Sequence, residues 1–230
     1  MYTLLAVFAI AMGFLEGIVV VYLRQILYPN GFGFPLKMIT PGMLSVEWIR
    51  EIATLLMLFS VAWLSGKNRL QRISFFLFVF AVWDIFYYVT LKLFTNWPES
   101  WLTWDILFLI PVPWIGPVLA PLIFSFYLIL VSFQFTWLQA NGKKVIFKIT
   151  DLLIFLSGVA IVLFSFVGTY LEIILKSCSA DAGSPASDVQ FCNAITAYVP
   201  EQYDWYLFIV GEMLIIIAVF SIVKRAYSQR

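Results

Sequence analysis

Six apolar stretches, each about the 20 residues a helix needs to cross a bilayer, divide this chain at 2–22, 44–64, 73–93, 118–138, 149–171 and 206–223. Composition points the same way. Hydrophobic residues make up 63% of the chain and charged residues 12%, against about 45 to 50% and about 25% in soluble proteins. The expected fold is an all-α polytopic membrane protein: one six-transmembrane-helix bundle, residues 1–230 forming a single domain with the lipid bilayer as its surroundings. The first stretch does not read as a signal peptide, because it lacks a basic flank and carries Glu16 where a signal sequence is apolar.

Basic residues are retained on the cytoplasmic side of a membrane. Lys67, Arg69 and Arg72 fall between spans two and three, Lys143, Lys144 and Lys148 between four and five, and Lys224, Arg225 and Arg230 after span six. Nine of the 14 basic residues thus share one face, so both termini are expected in the cytoplasm, with a bacterial inner membrane as the setting. The same topology places every acidic residue except Asp151 at mid-membrane or on the outer side. The connection at 177–204 then lies outside, where thiols oxidise. It holds Cys178 and Cys192, the only two cysteines, and the expectation is a disulfide between them, with two free thiols as the alternative.

The chain contains no histidine, which removes haem ligation, most zinc hydrolases and Ser-His or Cys-His catalysis. Two cysteines alone supply too few soft ligands for zinc or copper, so no metal or other cofactor is expected, although a carboxylate site for Mg²⁺ or Ca²⁺ stays chemically open. A net charge of +1, without basic runs, excludes nucleic acid as a partner.

The charged residues inside the spans carry the functional signal, because each is costly in hydrocarbon unless paired. On span one, Glu16 and Arg24 stand eight residues apart on one helical stripe, and Gly13 and Gly17 beside the acid leave room for a neighbouring helix. On span two, Glu47, Arg50 and Glu51 occupy its first outer turns. The two acids have a competing reading as macrodipole partners at a helix start capped by Ser45. On span three, Asp84 sits near mid-helix, with Tyr88 and Lys92 four and eight residues on, and either serves function or bridges to a buried cation. Glu16, Arg50, Asp84 and Lys92 are expected to converge on one buried network.

The segment 96–121 is dense in Trp and Pro and contains Asp105. A regular helix cannot hold prolines at 111, 113 and 117, and the expectation is an interfacial or re-entrant segment with interrupted backbone before span four, Trp97 and Trp101 belonging to an interfacial aromatic belt. Buried acids and bases beside broken backbone are the ingredients of a solute pathway. The leading functional expectation is therefore an outward-facing charged cavity that binds or moves a proton, small ion or small polar solute. Its candidate residues are Glu16, Arg24, Glu47, Arg50, Glu51, Asp84, Tyr88, Lys92 and Asp105, with Glu16 and Asp84 as ion or proton carriers and Arg24, Arg50 and Lys92 as anion-binding or pKa-tuning groups. Two other classes fit the same residues. One is an intramembrane enzyme acting on a lipid or lipid-linked substrate at the outer leaflet, a lipid headgroup being one candidate partner; the other is a non-catalytic subunit of a larger membrane assembly or homo-oligomer.

Overall fold

The computed structural model describes residues 1–37, 39–180 and 198–228. Six helices, α1 (Tyr2–Leu27), α2 (Pro41–Ser65), α3 (Arg69–Thr95), α4 (Leu119–Ala140), α5 (Ile149–Ala180) and α6 (Trp205–Ser228), are long and apolar enough to cross a membrane. Their length and composition make this an integral membrane protein. The Cys178 to Cys192 pairing lies outside the described residues.

Helix starts follow from local chemistry. Thr40 caps α2, its hydroxyl accepting from the Met43 N–H at 3.3 Å, and Pro41 occupies the first helical position, where its fixed φ suits a helix and its missing N–H costs nothing. Ser45 is therefore not the cap. It lies one turn inside, donating to the Pro41 carbonyl at 3.0 Å. The earlier start leaves no acid in the first turn of α2, so the macrodipole explanation for Glu47 and Glu51 falls away. Asn68 caps α3 through a 3.0 Å bond from Gln71 N–H.

Helix α3 is central, with α1, α2 and α4 packed around it, while α5 and α6 pair closely with each other. Small residues set the two tightest contacts. A Cβ at Gly13 would lie 2.8 Å from the Trp83 carbonyl oxygen, and one at Gly17 would lie 2.6 Å from the Thr90 Cβ. Gly158 and Gly211 do the same for α5 against α6, a Cβ on Gly158 meeting the Gly211 carbonyl at 2.7 Å. By contrast α1 and α2 scarcely touch. The space left between them forms part of the cavity described below.

Between α3 and α4 the chain forms an antiparallel hairpin, β1 (Trp104–Phe108) with β2 (Trp114–Pro117), placing Asp105 opposite Gly116 and carrying an irregularity between Ile106 and Phe108. The interrupted backbone expected here thus takes a form that the sequence pattern did not suggest. Pro111 and Pro113 fall in the turn and Pro117 ends β2, so no proline interrupts the interior of the ladder. A lone two-stranded ribbon is marginal, and this one is held by its neighbours: Gly116 lies against the Phe166 ring of α5, where a Cβ would sit 2.8 Å from the ring, and Phe108 packs on Trp83 of α3 with centroids 6.2 Å apart.

At the opposite end of the bundle, Asp151 at the start of α5 accepts 2.7 and 3.1 Å bonds from Arg225 and a 3.0 Å bond from Ser221, tying α5 to α6. Tyr2 bonds Ser132 and Thr136 of α4, both at 2.9 Å.

The α1–α3 contact yields a stability prediction. Gly17→Val should destabilise the purified protein by about 1 to 3 kcal/mol, the usual cost of overpacking, read as a lowered midpoint in thermal unfolding. Gly42→Ala, where no atom lies within 4 Å of a new Cβ, should leave the midpoint unchanged.

Candidate functional site

A cavity of about 400 Å³ opens between α1, α2, α3 and the hairpin. Eight of the nine residues singled out from the sequence line it: Glu16, Arg24, Glu47, Arg50, Glu51, Asp84, Tyr88 and Asp105. Lys92 does not. It is exposed on the last turn of α3, and its ammonium donates to the carbonyls of Asn96 at 3.1 Å and Pro98 at 2.9 Å. Those terminal carbonyls have no helical partner and draw a cation to them, so the expected convergence of Lys92 with Glu16, Arg50 and Asp84 is corrected.

Arg50 is the hub of one charge cluster. Its guanidinium pairs with Glu16 of α1 through Nη1 and holds Glu47 on its own helix through Nε at 3.0 Å and Nη2 at 2.7 Å. Thr54 adds a 2.9 Å bond from its hydroxyl to Glu16. Glu16 and Glu47 are buried, and a guanidinium matches two carboxylates because its donors form a planar fork.

A second set of contacts fixes the hairpin tip. Leu109 N–H donates to both oxygens of Glu51, at 2.9 and 3.1 Å, and the Leu109 carbonyl accepts from Trp48 Nε1 at 3.1 Å. Both polar groups of this turn residue are thereby satisfied by α2, as buried backbone requires.

A third set joins α1 to β1. Arg24 donates to Asp105 Oδ1 at 2.6 Å, and its guanidinium lies 4.1 Å from the Phe32 ring centroid and 3.9 Å from that of Trp97. The two rings, at 87° to each other, add cation–π attraction to the pair. Trp97, expected only as part of an interfacial belt, thus covers a charged group of the site; Trp101 is exposed. Asp105 is fully buried beside the Tyr88 hydroxyl and the Ile106 N–H. The Trp83 indole N–H and Arg24 Nη1 have no hydrogen-bond partner among the described residues.

Asp84 stands apart from the other acids. Its single hydrogen bond among the described residues comes from the Ser125 hydroxyl at 2.9 Å, it has no cationic partner among them, and it is half-buried with its free surface on the cavity. Asp105 lies close enough for the two charges to interact. Ser125 and the Leu109 backbone escaped the sequence reading, since neither a lone serine in an apolar span nor a backbone amide carries a signal there.

Among the described residues no three carboxylates or thiols converge as metal ligands. Glu99 and Glu201 are exposed, while Asp181 and Asp188 lie outside the described residues. Glu212 of α6 is buried away from the cavity, with Oε1 lacking a hydrogen-bond partner. Comparison of the chain with protein-family models, curated proteins and solved structures finds no match.

The Arg50 cluster makes a direct prediction. Arg50→Met leaves Glu16 and Glu47 without their shared cation and should destabilise the protein by about 3 to 5 kcal/mol, the cost of breaking a buried pair from one side. Adding Glu16→Gln and Glu47→Gln should recover much of that loss. Lys92→Met, which touches only two exposed carbonyls, should cost less than about 1 kcal/mol. Thermal unfolding of the purified variants compares all three.

Proposed function

We propose that the protein is a solute carrier whose cavity binds a small polar solute from the hairpin end of the bundle, with Asp84 giving up and regaining a proton as the solute enters and leaves. The observation that carries this reading is the contrast among the acids. Glu16 and Glu47 share Arg50, Asp105 has Arg24 and Glu51 holds backbone, whereas Asp84 faces the cavity with one serine bond. An Asp at mid-membrane without a cation costs at least about 2.5 to 3.5 kcal/mol, and a bound proton or bound solute relieves that cost. The group is poised to hold one or the other.

The hairpin supports the same reading. In the proposed topology it enters the outer half of the membrane, where strand backbone is tolerated only if protein or a wet cavity surrounds it. The nine basic residues, including those between α2 and α3 and between α4 and α5, favour cytoplasmic placement of the opposite end.

Transport is tested in proteoliposomes that enclose a pH-sensitive dye and face a panel of small amines, alcohols and carboxylates. At least one solute should move protons saturably and faster than in protein-free vesicles, and Asp84→Asn should abolish that flux while shifting the unfolding midpoint little, because no described cation is stranded. Absence of any saturable flux, or equal flux in Asp84→Asn, would overturn the carrier role. Orientation is tested separately. A cysteine placed at Ser228 should resist a membrane-impermeant maleimide in intact cells and react after permeabilisation; labelling in intact cells would invert the topology.

A further inference from the structure

The cavity has an uneven charge count. Five carboxylates line it, those of Glu16, Glu47, Glu51, Asp84 and Asp105, against the two guanidiniums of Arg24 and Arg50. Both guanidiniums are already committed to carboxylates. Lys37 also borders the cavity, but it is exposed and its ammonium lies 5.3 Å from the Tyr28 ring centroid. An entering anion would meet paired cations and a surplus of acids, which like-charge repulsion disfavours.

Asp105 and Asp84 point to the same sign of charge. Asp105 is fully buried beside the Tyr88 hydroxyl and the Ile106 N–H, so it offers the cavity its charge and not an open lone pair. Asp84 adds a carboxylate whose only described donor is Ser125.

The walls separate an organic cation from a bare metal ion. Mg²⁺ and Ca²⁺ need six or more oxygens or retained waters, and no three carboxylates converge among the described residues. Around Asp84 the lining is instead aromatic, with Trp83, Tyr87 and Tyr88 on the same stretch of α3 and Phe108 against Trp83. Aromatic faces beside a carboxylate are the chemistry that recognises substituted ammonium groups, and about 400 Å³ is the size of a small-molecule pocket.

Building on the carrier reading, we infer that the solute is an organic ammonium ion with a compact apolar body, its charged group held by Asp84 within the field of Asp105 and its body packed on Trp83, Tyr87 and Tyr88. The ammonium and the proton then compete for Asp84. Binding of the cation releases the proton, charge being conserved at the carboxylate, and apparent affinity rises with pH. Arg24 pairs with Asp105, and Arg50 is shared by Glu16 and Glu47.

Three probes of similar shape and different charge test this on the purified full-length protein: benzyltrimethylammonium, benzyl alcohol and phenylacetate. Tryptophan fluorescence should change saturably with the ammonium and weaken by about tenfold or more in Asp84→Asn, as expected for loss of a desolvated charge partner. Asp84→Glu should retain binding, and the unfolding midpoints of both variants should match the wild type, which separates lost recognition from lost structure. Tighter binding of benzyl alcohol or phenylacetate, or ammonium binding indifferent to Asp84→Asn, would overturn the inference. The two proposals fail separately. Ammonium binding without proton flux in proteoliposomes would sustain the ligand class and refute the carrier; proton flux driven only by a neutral or anionic solute would do the reverse.

Discussion

The bridge from Arg50 to Glu16 and Glu47 is the interaction on which the site depends. Helices α1 and α2 scarcely pack against each other, so no apolar interface fixes their separation. A guanidinium spanning the gap does, with Thr54 steadying Glu16 from α2 at 2.9 Å. In a low-dielectric interior such a cluster is not a cheap source of stability, because desolvation offsets much of the attraction. Its value lies in geometry. Two helices are held apart at a set distance, and an opening is kept that apolar side chains would otherwise close.

The hairpin completes the enclosure by the same logic of satisfied polar groups. Strand backbone among membrane helices must find partners in protein, and the partners found here are the cavity's own residues. Glu51 takes the Leu109 N–H, Trp48 takes its carbonyl, and Arg24 takes Asp105. Three of the groups that fold the hairpin in place are therefore also cavity walls. Perturbing the hairpin anchor at Glu51 alters the site, and altering the Arg24–Asp105 pair loosens the hairpin. Structural and functional roles are not separable at these positions, whereas Asp84, which anchors nothing but Ser125, keeps them distinct.

Much of this arrangement was legible in the chain because membrane helices advertise themselves by length and because charges in hydrocarbon must face inward. Both rules are local. The six spans and eight of the cavity residues follow from them, and so does the close approach at Gly13 and Gly17. What failed was the part that depends on the third dimension. Glu16 and Arg24 stand eight residues apart and both reach the cavity, whereas Lys92, at the same spacing from Asp84, lies at the helix end, where the carbonyls of Asn96 and Pro98 take its ammonium instead. Ser45 was taken for a cap because the apolar run begins there, although Thr40–Pro41 is the stronger start signal. The prolines at 111, 113 and 117 ruled out a helix without specifying a strand, and nothing in one sequence links Arg24 to an aspartate 81 residues away.

The persistence of an unpaired acid is the last physical problem the architecture poses. A membrane protein built only for stability would place a cation beside Asp84 or replace the acid with an apolar residue, since an isolated charge in hydrocarbon is costly. Here the nearest cations are already committed, Arg24 to Asp105 and Arg50 to Glu16 and Glu47, and Ser125 supplies a single neutral hydrogen bond. That leaves the charge state of Asp84 to whatever enters the cavity. A proton neutralises it and a bound cation neutralises it equally well, but the two cannot occupy the same lone pairs together. Mutual exclusion at one carboxylate links the binding of a cation to the release of a proton, a coupling of the two binding equilibria.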